Sequence, residues 1–307
     1  MADVCILGTG GTIPKLERYL SSVIIRHNGH SILFDCGEGT QLALKKAGFT
    51  SKPIDVICIS HFHADHVSGL AGLLLTMGNE GRELPVTILI PMNGEHIIHS
   101  LLVIAPDIPF DINIREMHGG DSYAPEFMEN VTIEAASAEH TVPCLAYSVK
   151  IKRNGKFDPV RAAANNVPQS LWNIIRRNGT AEYSGKVFTS SDIMGKERKG
   201  LKITYITDTR PCVHFAEFAG NSDLLICEGM FGDPLKADRA KKIGHMMFSE
   251  AAEIAENANV NRLILTHFSP SVSEPEEYLQ NATDIFPETV CATDGLRTEV
   301  NFEKRDI

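Results

Sequence analysis

Short apolar runs alternate with amphipathic stretches along most of the chain. The runs VCILG, SSVIIRHN, HSILFDCG, VICISH and VTILIP have the length and β-branched content of strands. Between them EGTQLALKKA, HVSGLAGLLLTM and GEHIIHSLLVIA space their apolar residues at helical intervals. The second half repeats the rhythm, with NVTIEAASAEH, AYSVKIKR, LKITYITDT, SDLLICEG and RLILTH as strands and MMFSEAAEIAENAN as a helix. This alternation predicts a layered α/β domain.

Residues 152–200 break the pattern. RNGK, NNVP, RRNG and MGKERKG are polar and turn-rich, and they enclose one amphipathic run, SLWNIIRR, with the only tryptophan, Trp172. The expectation is an arm over 152–200, inserted within a single domain that covers 1–307.

Composition narrows the class. With 307 residues, 43% of them hydrophobic, the chain can bury a sizeable core. Its longest apolar runs fall short of the ~20 residues that span a bilayer, and no basic leader precedes the first of them. Seven scattered cysteines without a C-x-x-C pair fit a reducing compartment. A cytoplasmic protein with no membrane partner is expected.

A net charge of −10 argues against a polyanionic substrate until its distribution is considered. From Lys150 to Lys202 there are 12 Lys and Arg against 4 Asp and Glu, a net +8, which leaves −18 for the remainder. Arg176, Arg177, Lys196, Arg198 and Lys199 are therefore candidate contacts to a polyanion such as a nucleic acid. A solvated surface hairpin is the plain alternative for the same residues.

The sharpest chemical signal is HFHADH, residues 61–66, directly after the apolar run IDVICIS. Imidazole and carboxylate suit zinc and similar divalent ions. On a strand-to-helix turn, His61 and His63 can serve one cation while Asp65 and His66 face another. Three further ligand types close strand-like runs: His140 after TIEAASAE, Asp208 after LKITYIT and His267 after NRLILT. Carboxyl ends of strands collect on one edge of an α/β sheet, where sites are built. Five histidines and two aspartates exceed what one tetrahedral zinc accepts. Two Zn²⁺ per chain, with Mn²⁺ as a substitute, are expected, bridged by Asp208 between the halves. Paired cations of this kind suit in-line displacement at phosphorus.

HFHADH, AEHTVP, ITDT and LILTHFS resemble the metallo-β-lactamase superfamily. LGTGGTIP, FDCGEGTQ, TDTRPC, ICEGMF and GHMMFSEAA, in that order, resemble the short-form ribonuclease Z family, which removes the 3′ trailer from precursor tRNA. The resemblance implies an αββα sandwich of the metallo-β-lactamase type and a homodimer. It implies that His61, His63 and His140 bind one zinc and that Asp65, His66 and His267 bind the other, with Asp208 shared. It further implies Asp65 as general base, and Glu228 with His245 as source of the leaving-group proton.

The stretch NNVPQSLWNIIRRNG lacks the Gly-Pro tip usual in that family's arm, and His245 is followed by Met246 and Met247 instead of Ser or Thr. A phosphodiesterase acting on cyclic nucleotides or other small diesters is thus the rival reading. A non-enzymatic RNA-binding protein with a vestigial site is a third, disfavoured by the complete ligand set. LGTGGT reads as a tight hairpin turn and FDCGEGTQ as a strand–helix connector whose Gly37 and Gly39 N–H groups could face the metal edge.

Overall fold

A computed structural model describes residues 1–303. They form two compact units, one of Met1–Lys150 and Lys202–Asn301, the other of Ile151–Leu201 joined by Phe302.

The larger unit holds two mixed seven-stranded sheets. The first combines β1 (Ala2–Gly8), β2 (Ser22–His27), β3 (His30–Phe34), β4 (Ile54–Cys58), β5 (Val86–Pro91) and β6 (Ile112–Met117) in spatial sequence, with the last strand, β16 (Leu296–Val300), beside β1. Strands β3 to β6 run parallel. The second sheet runs β15 (Thr289–Cys291), β14 (Leu263–Thr266), β13 (Leu224–Glu228), β12 (Arg198–Ile206), β9 (Cys144–Arg153), β8 (Val131–Ala138) and β7 (Ser122–Tyr123), and β12 to β15 are parallel.

Each sheet packs one face on helices. Leu70, Leu73, Leu74 and Met77 from helix Leu70–Asn79 meet Ile57, Ile59, Ile88 and Ile90 of the first sheet. Ala251, Ala252 and Ala255 of helix Phe248–Asn257 meet Leu225, Cys227, Leu263 and Leu265 of the second. Small alanines let that helix lie close to the strands. The opposite faces meet through aromatic contacts: Phe34 of the first sheet lies 6.1 Å from Tyr147 and 5.4 Å from Tyr205 of the second. Both phenols are buried and satisfied, Tyr147 by the Ile59 carbonyl at 2.9 Å and Tyr205 by Asp35 at 2.8 Å.

Several elements differ from the expectation. Strand β6, INIREM, was not expected: it alternates Ile112 and Ile114 with exposed Asn113 and Arg115, but half of its residues are polar and it lacks the continuous apolar run of its neighbours. The helix in GEHIIHSLLVIA ends at Leu102, and Val103 and Ile104 are each 75% exposed ahead of Pro106. Among the described residues no helix is long and apolar enough to cross a membrane.

The smaller unit is more built than its polar sequence suggests. Helix Pro159–Ala164 is capped by Asp158, and helix Trp172–Asn178 precedes a hairpin of β10 (Thr180–Tyr183) and β11 (Lys186–Thr189). Ser184 and Gly185 both take positive φ, as a tight hairpin turn requires. Ala162, Val167, Leu171, Ile175, Phe188 and Ile193 form its core, and Trp172 donates its indole N–H to the Val167 carbonyl at 3.0 Å.

Candidate metal centre

The strand ends converge as the sequence suggested. His61 and His63 leave the carboxyl end of β4, and His63 sits at the N-cap of the short helix Ala64–Val67, which carries Asp65 and His66. His140 follows β8, Asp208 follows β12 and His267 follows β14. Ligand atoms of His61, His63, His140 and Asp208 cluster within 4.8 Å of one another, and those of Asp65, His66 and His267 form a second such cluster. Asp208 faces both. Its Oδ1 lies 3.3 Å from His66 Nε2 and 3.2 Å from His267 Nε2, while its Oδ2 lies 3.5 Å from His61 Nε2 and 3.8 Å from His140 Nε2.

The donor set fits divalent cations on three counts. His63 Nδ1 lies 3.0 Å from His61 Nε2 and 3.2 Å from His140 Nε2. Three nitrogens that close can share only a proton or a cation. Two of the remote nitrogens are also committed: His61 Nδ1 pairs with Ser60 Oγ at 3.0 Å and His140 Nδ1 donates to the Gly244 carbonyl at 3.0 Å, so His140 Nε2 presents a lone pair. Finally, His66 Nε2 and His267 Nε2 are buried, and although each lies near Asp208 Oδ1, neither makes an aligned hydrogen bond to it or to any other group. Unpaired buried nitrogens are costly unless an ion takes them. His66 Nδ1 donates to Asp35 Oδ2 at 2.8 Å and His267 Nδ1 pairs with Ser21 Oγ at 2.7 Å, which turns both Nε2 lone pairs into the site.

Asp35 is the residue the sequence reading missed. Fully buried, it accepts from His66, from Ser60 N at 2.7 Å, from Ser60 Oγ at 2.9 Å and from Tyr205 at 2.8 Å. Its signal was present, since HSILFD ends a strand in a carboxylate just as LKITYITD does. The backbone is strained at this edge: Asp35, Asp208 and His267 take φ of 54°, 36° and 58°. Such conformations cost about 1–3 kcal/mol each and persist where surrounding interactions over-determine them.

LGTGGT is not a tight turn. Residues 9–21 form a long connection between β1 and β2, and the Thr12 N–H donates to Asp65 Oδ2 at 2.6 Å. A Cβ on Gly11 would lie 2.6 Å from His267 Nε2, so the glycine lets the backbone wall the site. FDCGEGTQ is a connector, in which Gly37 N donates to Ser21 O and Gly39 opens helix Thr40–Lys46.

Glu228, at the end of β13, is fully buried and meets His245 Nδ1 with both oxygens at 3.2 Å. Thr209 N donates to Glu228 Oε1 at 2.6 Å. Burial opposes the His245 imidazolium, but the Glu228 carboxylate outweighs it and lifts the pKa to about 9. His245 Nε2 lies 4.0 Å from Asp208 Oδ2 and belongs, with Asp208 and His267, to a third cluster of metal-ligand types.

The five candidate RNA contacts fall in the smaller unit. Arg176 and Arg177 are adjacent and exposed on the last turn of their helix, where with Asn173 they line a hollow of about 510 Å³. Arg198 donates to the Asn154 carbonyl at 2.9 Å, Lys199 pairs with Glu303 at 2.6 Å, and Lys196 is exposed.

Residues 177–268 match the Beta-lactamase superfamily domain, and residues 2–102 match the family described as Anti-Pycsar protein Apyc1. Ribonuclease Z of Agathobacter rectalis is 45% identical over 304 residues, covering 99% of this chain and 100% of that protein. Ribonuclease Z of Clostridium acetobutylicum is 46% identical, covering 99% of each. The crystal structure of human tRNase Z, short form, superposes with a TM-score of 0.71 at 25% identity, covering 98% of this chain and 100% of that one. Full-length identity at this level, on a chain that retains the paired His/Asp clusters, places it within the ribonuclease Z family of metal-dependent hydrolases.

Proposed function

We propose that this protein removes the 3′ trailer from precursor tRNA by endonucleolytic cleavage at a centre of two Zn²⁺, with Mn²⁺ as a substitute. The observation that carries the reading is the full-length likeness to ribonuclease Z. His61, His63 and His140 would hold one cation, Asp65, His66 and His267 the other, and Asp208 both. The pair supplies electrophilic stabilisation of the charge that develops on a phosphodiester and makes water ionisable near neutral pH.

The remaining work falls to the chain's own groups. Thr12 N–H fixes Asp65 through Oδ2, which leaves Oδ1 to take the proton of the attacking water. Glu228 holds Nδ1 of His245, so the proton on Nε2, 4.0 Å from Asp208 Oδ2, lies beside the metal ligands and is available to the leaving oxygen. Asp35 and Ser21 keep His66 and His267 in the tautomer that presents Nε2.

The basic stretch over 152–200 is assigned to tRNA binding as an arm of the single domain, and the working assembly is a homodimer, which sedimentation at micromolar concentration tests. Counterion release makes the arm's role measurable. Affinity for tRNA should fall with salt at a log–log slope of about −0.7 to −0.9 per phosphate contacted. Changing Arg176 and Arg177 to Ala should weaken tRNA binding and flatten that slope. Turnover of a small aryl phosphodiester reports separately on the metal site: equal losses on both substrates would contradict an RNA-gripping role.

A further inference from the structure

The first sheet changes character toward its edge, on β5 and the edge strand β6. On β5, Val86, Ile88 and Ile90 enter the helix-covered core, so the alternate residue Thr87 faces the other way. On β6, Ile112 and Ile114 pack toward the helices and Asn113 and Arg115 take the opposite face. A sheet face turned toward another sheet ordinarily buries apolar side chains. Here Asp55, Thr87, Asn113 and Arg115 instead line a cleft of about 680 Å³. Arg115 pairs with Leu89, which pairs with Cys58, so it stands two strands, ~10 Å, across the sheet from the end of β4, and the lining includes none of the metal-centre residues.

The floor of this cleft is braced. Asp55 accepts from Arg82 at 2.9 Å and from His30 Nδ1 at 2.7 Å. Arg82 is 3% exposed and also donates to the carbonyls of Lys52, Leu84 and Pro85. His30 Nε2 is thereby left to face outward. The Arg115 guanidinium lies 5.3 Å over the Tyr123 ring and has no carboxylate or carbonyl partner among the described residues. Tyr123 is held in turn by Thr87, 3.3 Å from its hydroxyl. The walls are apolar and wet: Phe127 is 45% exposed and Leu84 70%. Beyond Phe127 and His30, which line both spaces, a second hollow of about 280 Å³ continues the cleft.

A guanidinium steadied on an aromatic face, with its donors unspent, is built to take a carboxylate or phosphate. An exposed phenyl ring beside it gains from being covered by another ring. Asp55 is neutralised by Arg82, so Glu126 is the remaining acid on the lining and disfavours a highly charged ligand. We propose that this cleft is a second ligand site, separate from the metal centre, for a planar aromatic ring bearing one oxyanion group. The ring covers Phe127 and Leu84, the oxyanion takes Arg115, and the ring's polar edge meets Asn113 and His30 Nε2.

A nucleoside monophosphate and an aromatic carboxylate share this chemistry, and titration calorimetry separates them. Metal-loaded protein is titrated with uridine 5′-monophosphate, with 4-hydroxybenzoate and with inorganic phosphate, then again as the Arg115→Met and Phe127→Ala variants. Oxyanions also bind at the metal centre, so the diagnostic component is the one the variants remove. At least one aromatic ligand should bind tenfold more tightly than phosphate and lose about tenfold in each variant. The ligand that does so identifies the source. Aromatic ligands that bind no better than phosphate, or that bind both variants like the native protein, overturn the proposal. Should Phe127→Ala fail to fold by thermal melting, Arg115→Met alone decides the outcome.

Discussion

Arg210 donates to the main-chain carbonyl of His245, and the same guanidinium is forked onto Glu250, with Nη1 2.9 Å from Oε2. Glu250 Oε2 also accepts from Met247 N at 2.8 Å. Arg210 lies two residues beyond Asp208, and the intervening Thr209 N holds Glu228. One short segment therefore carries the shared carboxylate and fixes both members of the Glu228–His245 pair.

From this it follows that Arg210→Met should lower kcat on any diester by a factor on the order of 10–100, with KM and metal content little changed. Arg210→Lys, which keeps charge but loses the fork, should recover only part of the rate. Steady-state kinetics beside elemental analysis measure both. A variant that loses metal would show that Arg210 maintains the ligand set instead.

Replacing His245 with Ala should lower kcat by about 10²–10⁴ while both cations stay bound. The opposite result, loss of metal with the rate, would assign His245 to the cluster it forms with Asp208 and His267. The sequence could not separate these roles. GHMMFSEAA gives no spacing relation to the ligands, and only the folded chain brings His245 Nδ1 to Glu228.

Metal content discriminates between the carboxylates. Asp208 faces both clusters through different oxygens, so Asp208→Ala should release both cations. Asp65→Ala should release one, since Asp65 belongs to a single cluster. Elemental analysis after gel filtration should give about two, zero and one cation per chain for the native protein and the two variants. Equal losses in both variants would contradict the bridging assignment.

What could be read in advance was governed by local pattern. HFHADH and the three strand-end ligands were legible because strand ends in α/β proteins share an edge. Asp35 was overlooked because its role depends on Ser60, His66 and Tyr205, which lie 25, 31 and 170 residues away. Strand β16 was illegible for a similar reason. LRTEV gains its identity from pairing with β1 across nearly the whole chain. In the smaller unit the polar turns were evident, but not that Val167, Ile175 and Phe188 converge into a core.

That β1–β16 pairing makes stability depend on acid. Arg297 of β16 donates to Asp3 of β1 through Nε at 2.6 Å, and Arg26 reaches the same carboxylate at 2.8 Å. Burial opposes ionisation of Asp3, but Arg297 and Arg26 outweigh it and hold the carboxyl below the usual range. A depressed folded-state pKa contributes stability above the unfolded value, near 3.9, that is lost as pH falls through the folded one. Urea midpoints should therefore fall between about pH 5 and pH 3 in the native protein, and less steeply in Asp3→Asn. Parallel curves would show that the pair contributes nothing.

The most direct measurement is incubation of the zinc-loaded protein with a precursor tRNA carrying a 3′ trailer, beside a small aryl phosphodiester, with and without prior chelation. The account predicts a single cut after the acceptor stem, abolished by chelation and restored by zinc. Intact precursor alongside steady turnover of the aryl diester would contradict it and leave a small-molecule phosphodiesterase.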